Sequence, residues 1–194
     1  VDHYHTRMSE FNANIVVSDE IASGMMVSRD RLIIANHIKL SSVRLQSLLH
    51  HEIGTHLLTY FNGRCQPFRQ LYAGLAGFEE LQEGLAVFAE YLAGGLTPNR
   101  ARTLAGRVIA VDSMISGESF AGTFARLHEQ LKFGKRRAFD ICLRVYRGGG
   151  LTKDVIYLRG LNELLKYFAA GHEIEPLYVG KIGLQHVPYV QEMR

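Results

Sequence analysis

The sequence predicts an α+β fold on three observations. Short apolar strands crowd the stretch from Asn14 to Ala35, helical periodicity takes over from Ser41, and no repeat or low-complexity linker divides the chain. At 194 residues the chain suits one domain and can bury a sizeable core. A single domain over residues 1–194 is therefore expected. The chain begins at Val1 rather than Met, so a fragment of a longer chain is expected as well.

Residues 1–11 are polar and mixed and take no assignment. Asn14–Val17, Gly24–Ser28 and Leu32–Ala35 read as strands, the last two flanking the polar turn Arg29-Asp30. Ser41 or Ser42 caps a helix that carries Val43, Leu45, Leu48, Leu49, Ile53 and Leu57 and stops near Asn62-Gly63. Cys65 to Leu75 has no clear period and reads as loop. A second helix runs from about Phe78 to Leu92 and ends at Gly94-Gly95. Thr97-Pro98 opens a third, because a proline at the first helical position loses an N–H that would go unbonded anyway. Further helices are expected at about 119–132, 135–147 and 153–169. The run Gly148-Gly149-Gly150 separates the last two and gives the backbone freedom there.

Composition narrows the function. A hydrophobic fraction of 47% and a charged fraction of 21% are ordinary for a soluble globular protein. The net charge of +3 points to neither nucleic acid nor membrane, although it tolerates an acidic substrate. No apolar run approaches the roughly 20 residues of a membrane span. No charged-then-apolar signal segment opens the chain. Cys65 and Cys142 are far apart and form no C-x-x-C pair, which argues against a disulfide framework or a thiolate zinc site. A reducing compartment fits, and a cytoplasmic location is expected.

The chemistry concentrates in His50-His51-Glu52-Ile53-Gly54-Thr55-His56 on the first helix. Two imidazoles and a carboxylate are the parts of a catalytic zinc site: His51 and His56 as ligands, Glu52 as general base toward the water that the metal activates. The spacing is unusual. At about 100° per residue, positions four apart nearly eclipse, whereas positions five apart stand about 140° around an α-helix. The residue four after His51 is Thr55, which is no zinc ligand. His51 and His56 can face one ion only if the helix widens or ends, and Gly54 between them permits it. A π-bulge or a helix end is therefore predicted around Ile53-Gly54-Thr55. His50 turns about 100° away from His51, toward the surface or an outer role.

A catalytic zinc also needs a third protein ligand. The second helix offers Glu79, Glu80, Glu83 and Glu90, of which Glu79, Glu83 and Glu90 share roughly one face. Helical geometry leaves the choice among them open. The other histidines (His3, His5, His37, His128, His172 and His186) stand alone and read as solvated or structural.

Gln82-Glu83-Gly84-Leu85-Ala86 follows the histidine motif by about thirty residues, and together the two resemble the bacterial QEGLA-motif proteins described as flavohaemoglobin expression modulators. They also resemble the microtubule-associated tyrosine carboxypeptidases of animals. The likeness continues in Cys142-Leu143-Arg144-Val145-Tyr146-Arg147-Gly148 and in Lys153-Asp154-Val155-Ile156-Tyr157-Leu158-Arg159-Gly160. The resemblance implies a zincin-like peptidase with one zinc per chain that removes a C-terminal residue, tyrosine from tubulin in the animal enzymes. It implies His51, His56 and Glu83 as metal ligands and Glu52 as the base.

Within that mechanism Tyr157 is the candidate donor to the oxyanion, because a phenol hydroxyl can reach into such a site. Arg144, Arg147, Lys153 and Arg159 are candidates for gripping the substrate's free carboxylate, arginine by its bidentate fork. The expected partner is the C-terminus of a peptide or protein. A zinc aminopeptidase or endopeptidase would share every metal residue, and a regulatory module with a structural metal is the non-catalytic alternative.

Overall fold

In the computed structural model, which describes residues 1–21, 24–147 and 153–193, the three expected strands form one small sheet. Strands β1 (Asn14–Ser18), β2 (Met25–Ser28) and β3 (Arg31–Ala35) lie in the order β1-β3-β2. β2 and β3 make an antiparallel hairpin pairing Met25 with Ile34, and β1 lies parallel to β3 with Asn14 opposite Arg31. Arg29 takes a left-handed φ of 56° to close the hairpin, at the polar turn the sequence marked. The remaining elements are helical, so the fold is α+β with a mainly helical complement. No helix among the described residues is long and apolar enough to cross a membrane.

The chain parts into two compact units. The first comprises Val1–Gly95 and Gly160–Arg194, the second Leu96–Arg159. After a short α1 (Asp2–His5) and the sheet, the first unit continues with α2 (Ser42–His51), a π-helical segment (Glu52–Leu57) and α3 (Leu58–Arg64). Ser41 caps α2, its hydroxyl accepting from Arg44 N–H at 3.3 Å, which satisfies one of the free amides of the first turn. Met25 and Leu32 on the sheet pack with Leu48, Ile53, Leu57 and Phe61 of this helical run. Val43 and Leu45, expected on the buried stripe, are exposed, because the face of α2 that turns inward carries Ser47, Leu48 and His51. The stretch 65–75, expected as loop, holds a single helical turn, α4 (Gln70–Ala73). Four residues are too few to leave a period.

Helix α5 (Phe78–Leu92) has the expected bounds and runs through the middle of the first unit. Every residue from Leu81 to Val87 is buried, so this helix has no solvent face over two turns. Leu81 and Leu85 pack with Leu164, Leu177, Ile182 and Val187. The C-terminal segment after residue 170, unassigned by periodicity, supplies three of those four partners from 3₁₀ turns, the stretch between them and α10 (Val187–Glu192).

The second unit contains α6 (Pro98–Ile115), α7 (Phe120–Ala125), α8 (Lys135–Tyr146) and the opening turns of α9 (Lys153–Ala169), which belongs to the first unit from Gly160 onward. Thr97 caps α6 as expected, accepting from Arg100 N–H at 3.2 Å. The expected helix at 119–132 is α7 followed by a second π-helical stretch, Arg126–Gln130. Val111, Leu127, Ile141, Cys142 and Val145 form the core of this unit. The glycine run at 148–150 lies outside the described residues.

Both cysteines are free thiols, Cys65 exposed and Cys142 buried. Burial pushes the Cys142 thiol up to about 11, so it presents neither access nor thiolate near neutral pH. A maleimide is therefore expected to label one thiol in the native protein, Cys65, and both in denaturant. Rapid labelling of Cys142 in the native protein, read by intact mass and peptide mapping, would contradict this packing.

Candidate metal centre

The run of α2 into the π-helical segment decides the site. A π-turn closes with i→i+5 bonds rather than i→i+4, so residues five apart come onto one face. Across Glu52–Leu57 that turn brings the rings of His51 and His56 to 5.1 Å between centroids. The widening predicted around Gly54 is present. The Thr55 hydroxyl braces it by donating to His50 O, five residues back, at 3.3 Å. His50 is exposed, as its position on α2 implies.

Helix α5 brings the carboxylate. Glu83 Oε2 stands 3.5 Å from His51 Nε2 and 3.8 Å from His56 Nε2. One ligand atom from each of His51, His56 and Glu83 can be chosen so that all lie within 4.8 Å of one another. Of the four glutamates that helical spacing left open, Glu79 is exposed and Glu80 half-buried, whereas Glu83 and Glu90 are buried. Glu83 is the one that meets both imidazoles. Glu52, next to His51, is also buried and lies close enough to act electrostatically on that ring.

The set fits a metal. Two imidazole nitrogens and one carboxylate oxygen are the donor class of catalytic zinc sites. Ligands about 2.1 Å from a tetrahedral ion stand about 3.4 Å apart, close to the separations found between Glu83 and the two rings. The group could thus bind a metal ion. In the protein without one, burial opposes a charge on His51, but the facing Glu83 carboxylate and the hydrogen bond with Glu90, aided by the nearby Glu52, hold the pKa up at about 9. A metal entering the site must displace that proton.

Two contacts around the trio were not legible in the sequence. His51 Nδ1 bonds Glu90 Oε1 at 2.8 Å, and His56 Nδ1 bonds Gln82 Oε1 at 3.3 Å. Gln82 Oε1 also accepts from the Thr59 hydroxyl at 2.8 Å. Only the seven-residue spacing of Glu83 and Glu90 hinted that Glu90 shares the face. A phenol that sequence reasoning missed, Tyr178, is partly buried near Thr55 of the π-turn, and burial raises its pKa.

The other predicted residues fall in the second unit. Tyr157 is buried there, with the Arg107 guanidinium 5.8 Å above its ring. Arg144 Nε donates to the buried Asp154 at 2.6 Å, and Arg107 reaches the same oxygen at 3.6 Å. Burial, with the like charges of Arg144 and Arg100, pulls the Arg107 pKa down to about 10 against the pull of Asp154. Arg147, Lys153 and Arg159 are exposed. A separate cleft in the first unit, of about 930 Å³, is lined by Arg29, Arg64, Arg69 and Lys181 with Tyr60 and Tyr72. None of the metal trio lines it.

The sequence matches the model of the microtubule-associated tyrosine carboxypeptidase family over residues 1–194. No curated protein and no solved structure matches the chain. A match over the whole length, on a chain whose π-turn gathers two histidines and a glutamate, settles the family: the chain belongs to the microtubule-associated tyrosine carboxypeptidases, and its activity is of carboxypeptidase type.

Proposed function

We propose that the protein is a zinc-dependent metallocarboxypeptidase that removes a C-terminal residue, tyrosine foremost, from a peptide or protein. The observation that carries this is the convergence of His51, His56 and Glu83 across the π-turn, with a buried glutamate directly after the first ligand. Bound by that trio, zinc would supply Lewis-acid chemistry, polarising the scissile carbonyl and lowering the pKa of water toward neutrality.

The residues supply the proton path and the grip on substrate. Glu52 takes a proton from the attacking water at its carboxylate as oxygen bonds to the carbonyl carbon. It returns the proton to the amine nitrogen as the C–N bond breaks. Its burial suits this work, because a desolvated base sits near its substrate without competing solvent. Tyr157 is the proposed donor to the developing oxyanion. Recognition of the free carboxylate is assigned to the basic group Arg144, Arg147, Lys153 and Arg159. Asp154 holds Arg144, whereas Arg147, Lys153 and Arg159 are exposed to solvent.

Two measurements on one preparation test the proposal. Elemental mass spectrometry on protein purified without added metal, then repeated after adding zinc back, should find close to one zinc per wild-type chain and a large loss in Glu83→Ala. The zinc-loaded protein should release the last residue of a peptide acid and leave the C-terminal amide of the same peptide intact. Zinc absent even after reconstitution would overturn the metal assignment. Equal cleavage of acid and amide would overturn the carboxypeptidase assignment and favour an endopeptidase or aminopeptidase.

A further inference from the structure

Helix α5 gives the site more than Glu83. Both histidines are held from behind by acceptors on this helix, Gln82 immediately before the ligand and Glu90 two turns after it. A carboxylate oxygen and an amide oxygen can only accept, so each Nδ1 must carry the hydrogen and each neutral ring keeps its lone pair on Nε2. Those are the nitrogens that face Glu83 Oε2. The Thr59 hydroxyl, which also reaches Thr55 O at 2.7 Å, lies 2.8 Å from the same Gln82 oxygen and ties that side chain to the helical run that carries His56.

The two acceptors differ in charge, and the difference is built. Glu90 is fully buried and divides its carboxylate: one oxygen takes His51, the other takes Arg44 Nη1 at 2.7 Å. Arg44 and His51 stand two turns apart on α2, so the carboxylate bridges two points of that helix from α5. A buried anion without a partner would be strongly destabilising. The arginine makes the arrangement tenable. His56 has a neutral amide behind it and no such counter-ion is needed there.

We infer that Glu90, backed by Arg44, and Gln82 are positioning residues of the metal centre: they lock both imidazoles with Nε2 toward the ligand point. The charged acceptor acts on His51 and the neutral one on His56. This rests on the zinc reading above. A ligand ring held in place loses no rotational freedom on binding, and an anionic acceptor makes its free nitrogen more basic. The effect at His51 therefore exceeds that at His56.

Zinc affinity by chelator competition, together with proton NMR of the metal-free proteins, tests this in wild type, Glu90→Leu, Glu90→Gln and Gln82→Leu. Glu90→Leu should bind zinc about 10- to 100-fold more weakly and lose the slowly exchanging downfield Nδ1 proton of His51. Glu90→Gln keeps an acceptor and the volume, so it should fold even where the leucine variant does not. It should retain that proton and bind several-fold more weakly than wild type. Gln82→Leu should lose less affinity than Glu90→Leu. Wild-type affinity in both folded Glu90 variants, or an Nδ1 proton that survives Glu90→Leu, would overturn the inference. A wild type that takes up no zinc would sink the metal reading instead, and the Nδ1 proton would still decide whether Glu90 positions His51.

Discussion

Glu52→Gln is expected to leave zinc content near wild type and to lower kcat about 10²- to 10⁴-fold, the usual worth of a positioned general base. The amide fills the volume of the carboxylate and can still accept a hydrogen bond, but it cannot take a proton from water. Glu52 is not among the three groups that converge as ligands, so the metal set survives the change. KM should move little, because the lost interaction belongs to the transition state rather than to substrate binding. Removing a negative charge close to His51 also takes away one of the influences that hold that imidazole's pKa high. The kinetic comparison is therefore best made on zinc-loaded protein, where the proton has already gone. Full activity in Glu52→Gln with zinc in place would end the peptidase mechanism and leave a bound metal with a structural role.

The sequence carried the site further than it carried the fold around it. The five-residue spacing of His51 and His56 contradicts a regular helix, and with Gly54 between them it pointed to a π-bulge or a helix end around Ile53-Gly54-Thr55; the structure has the π-turn, at Glu52–Leu57. Helix α5 was legible in its extent, because the pair Gly94-Gly95 ends a pattern of glutamates set among apolar residues that starts near Phe78. Choosing Glu83 from its neighbours was beyond periodicity. Glu79, Glu83 and Glu90 share a face, and which part of that face is covered depends on where α2 crosses it. In the structure Glu79 emerges into solvent while Glu90 is sealed against Arg44. The family resemblance, not geometry, singled out Glu83.

What stayed hidden has a common physical cause. The turn Gln70–Ala73, the 3₁₀ turns at Glu175–Tyr178 and Leu184–His186, and the six residues of α10 are all too short for a hydrophobic period to emerge. Yet Leu177, Ile182 and Val187 from this region close the core around α5. Their burial is a long-range property, set by packing partners about one hundred residues earlier in the chain. The second π-helical stretch, Arg126–Gln130, has no histidine pair to betray it.

Gly84→Ala is expected to destabilise the metal-free protein by about 3 kcal/mol, lowering Tm by about 6–12 °C. Helix propensity argues the other way, since alanine is favoured over glycine in a helix interior by about 1 kcal/mol. The packing decides against it. A Cβ on Gly84 would lie 2.6 Å from Gly160 O and 2.9 Å from Leu161 N, both backbone atoms of α9 that no rotamer change can move aside. The approach is mutual: a Cβ on Gly160 would collide with Glu80 O and lie 3.1 Å from Gly84 N. Alanine must therefore push α5 and α9 apart, and α5 carries Gln82 two residues before the contact, Glu83 directly before it and Glu90 six residues after it. Zinc affinity should fall with stability in Gly84→Ala, although residue 84 touches no ligand atom. Gly134→Ala is the matched control, because a Cβ there meets nothing within 4 Å and its φ of −60° suits any residue. A Gly84→Ala protein that melts with the control would mean that the two helices have room to spare. The glycine after Glu83 would then need a reason other than close packing.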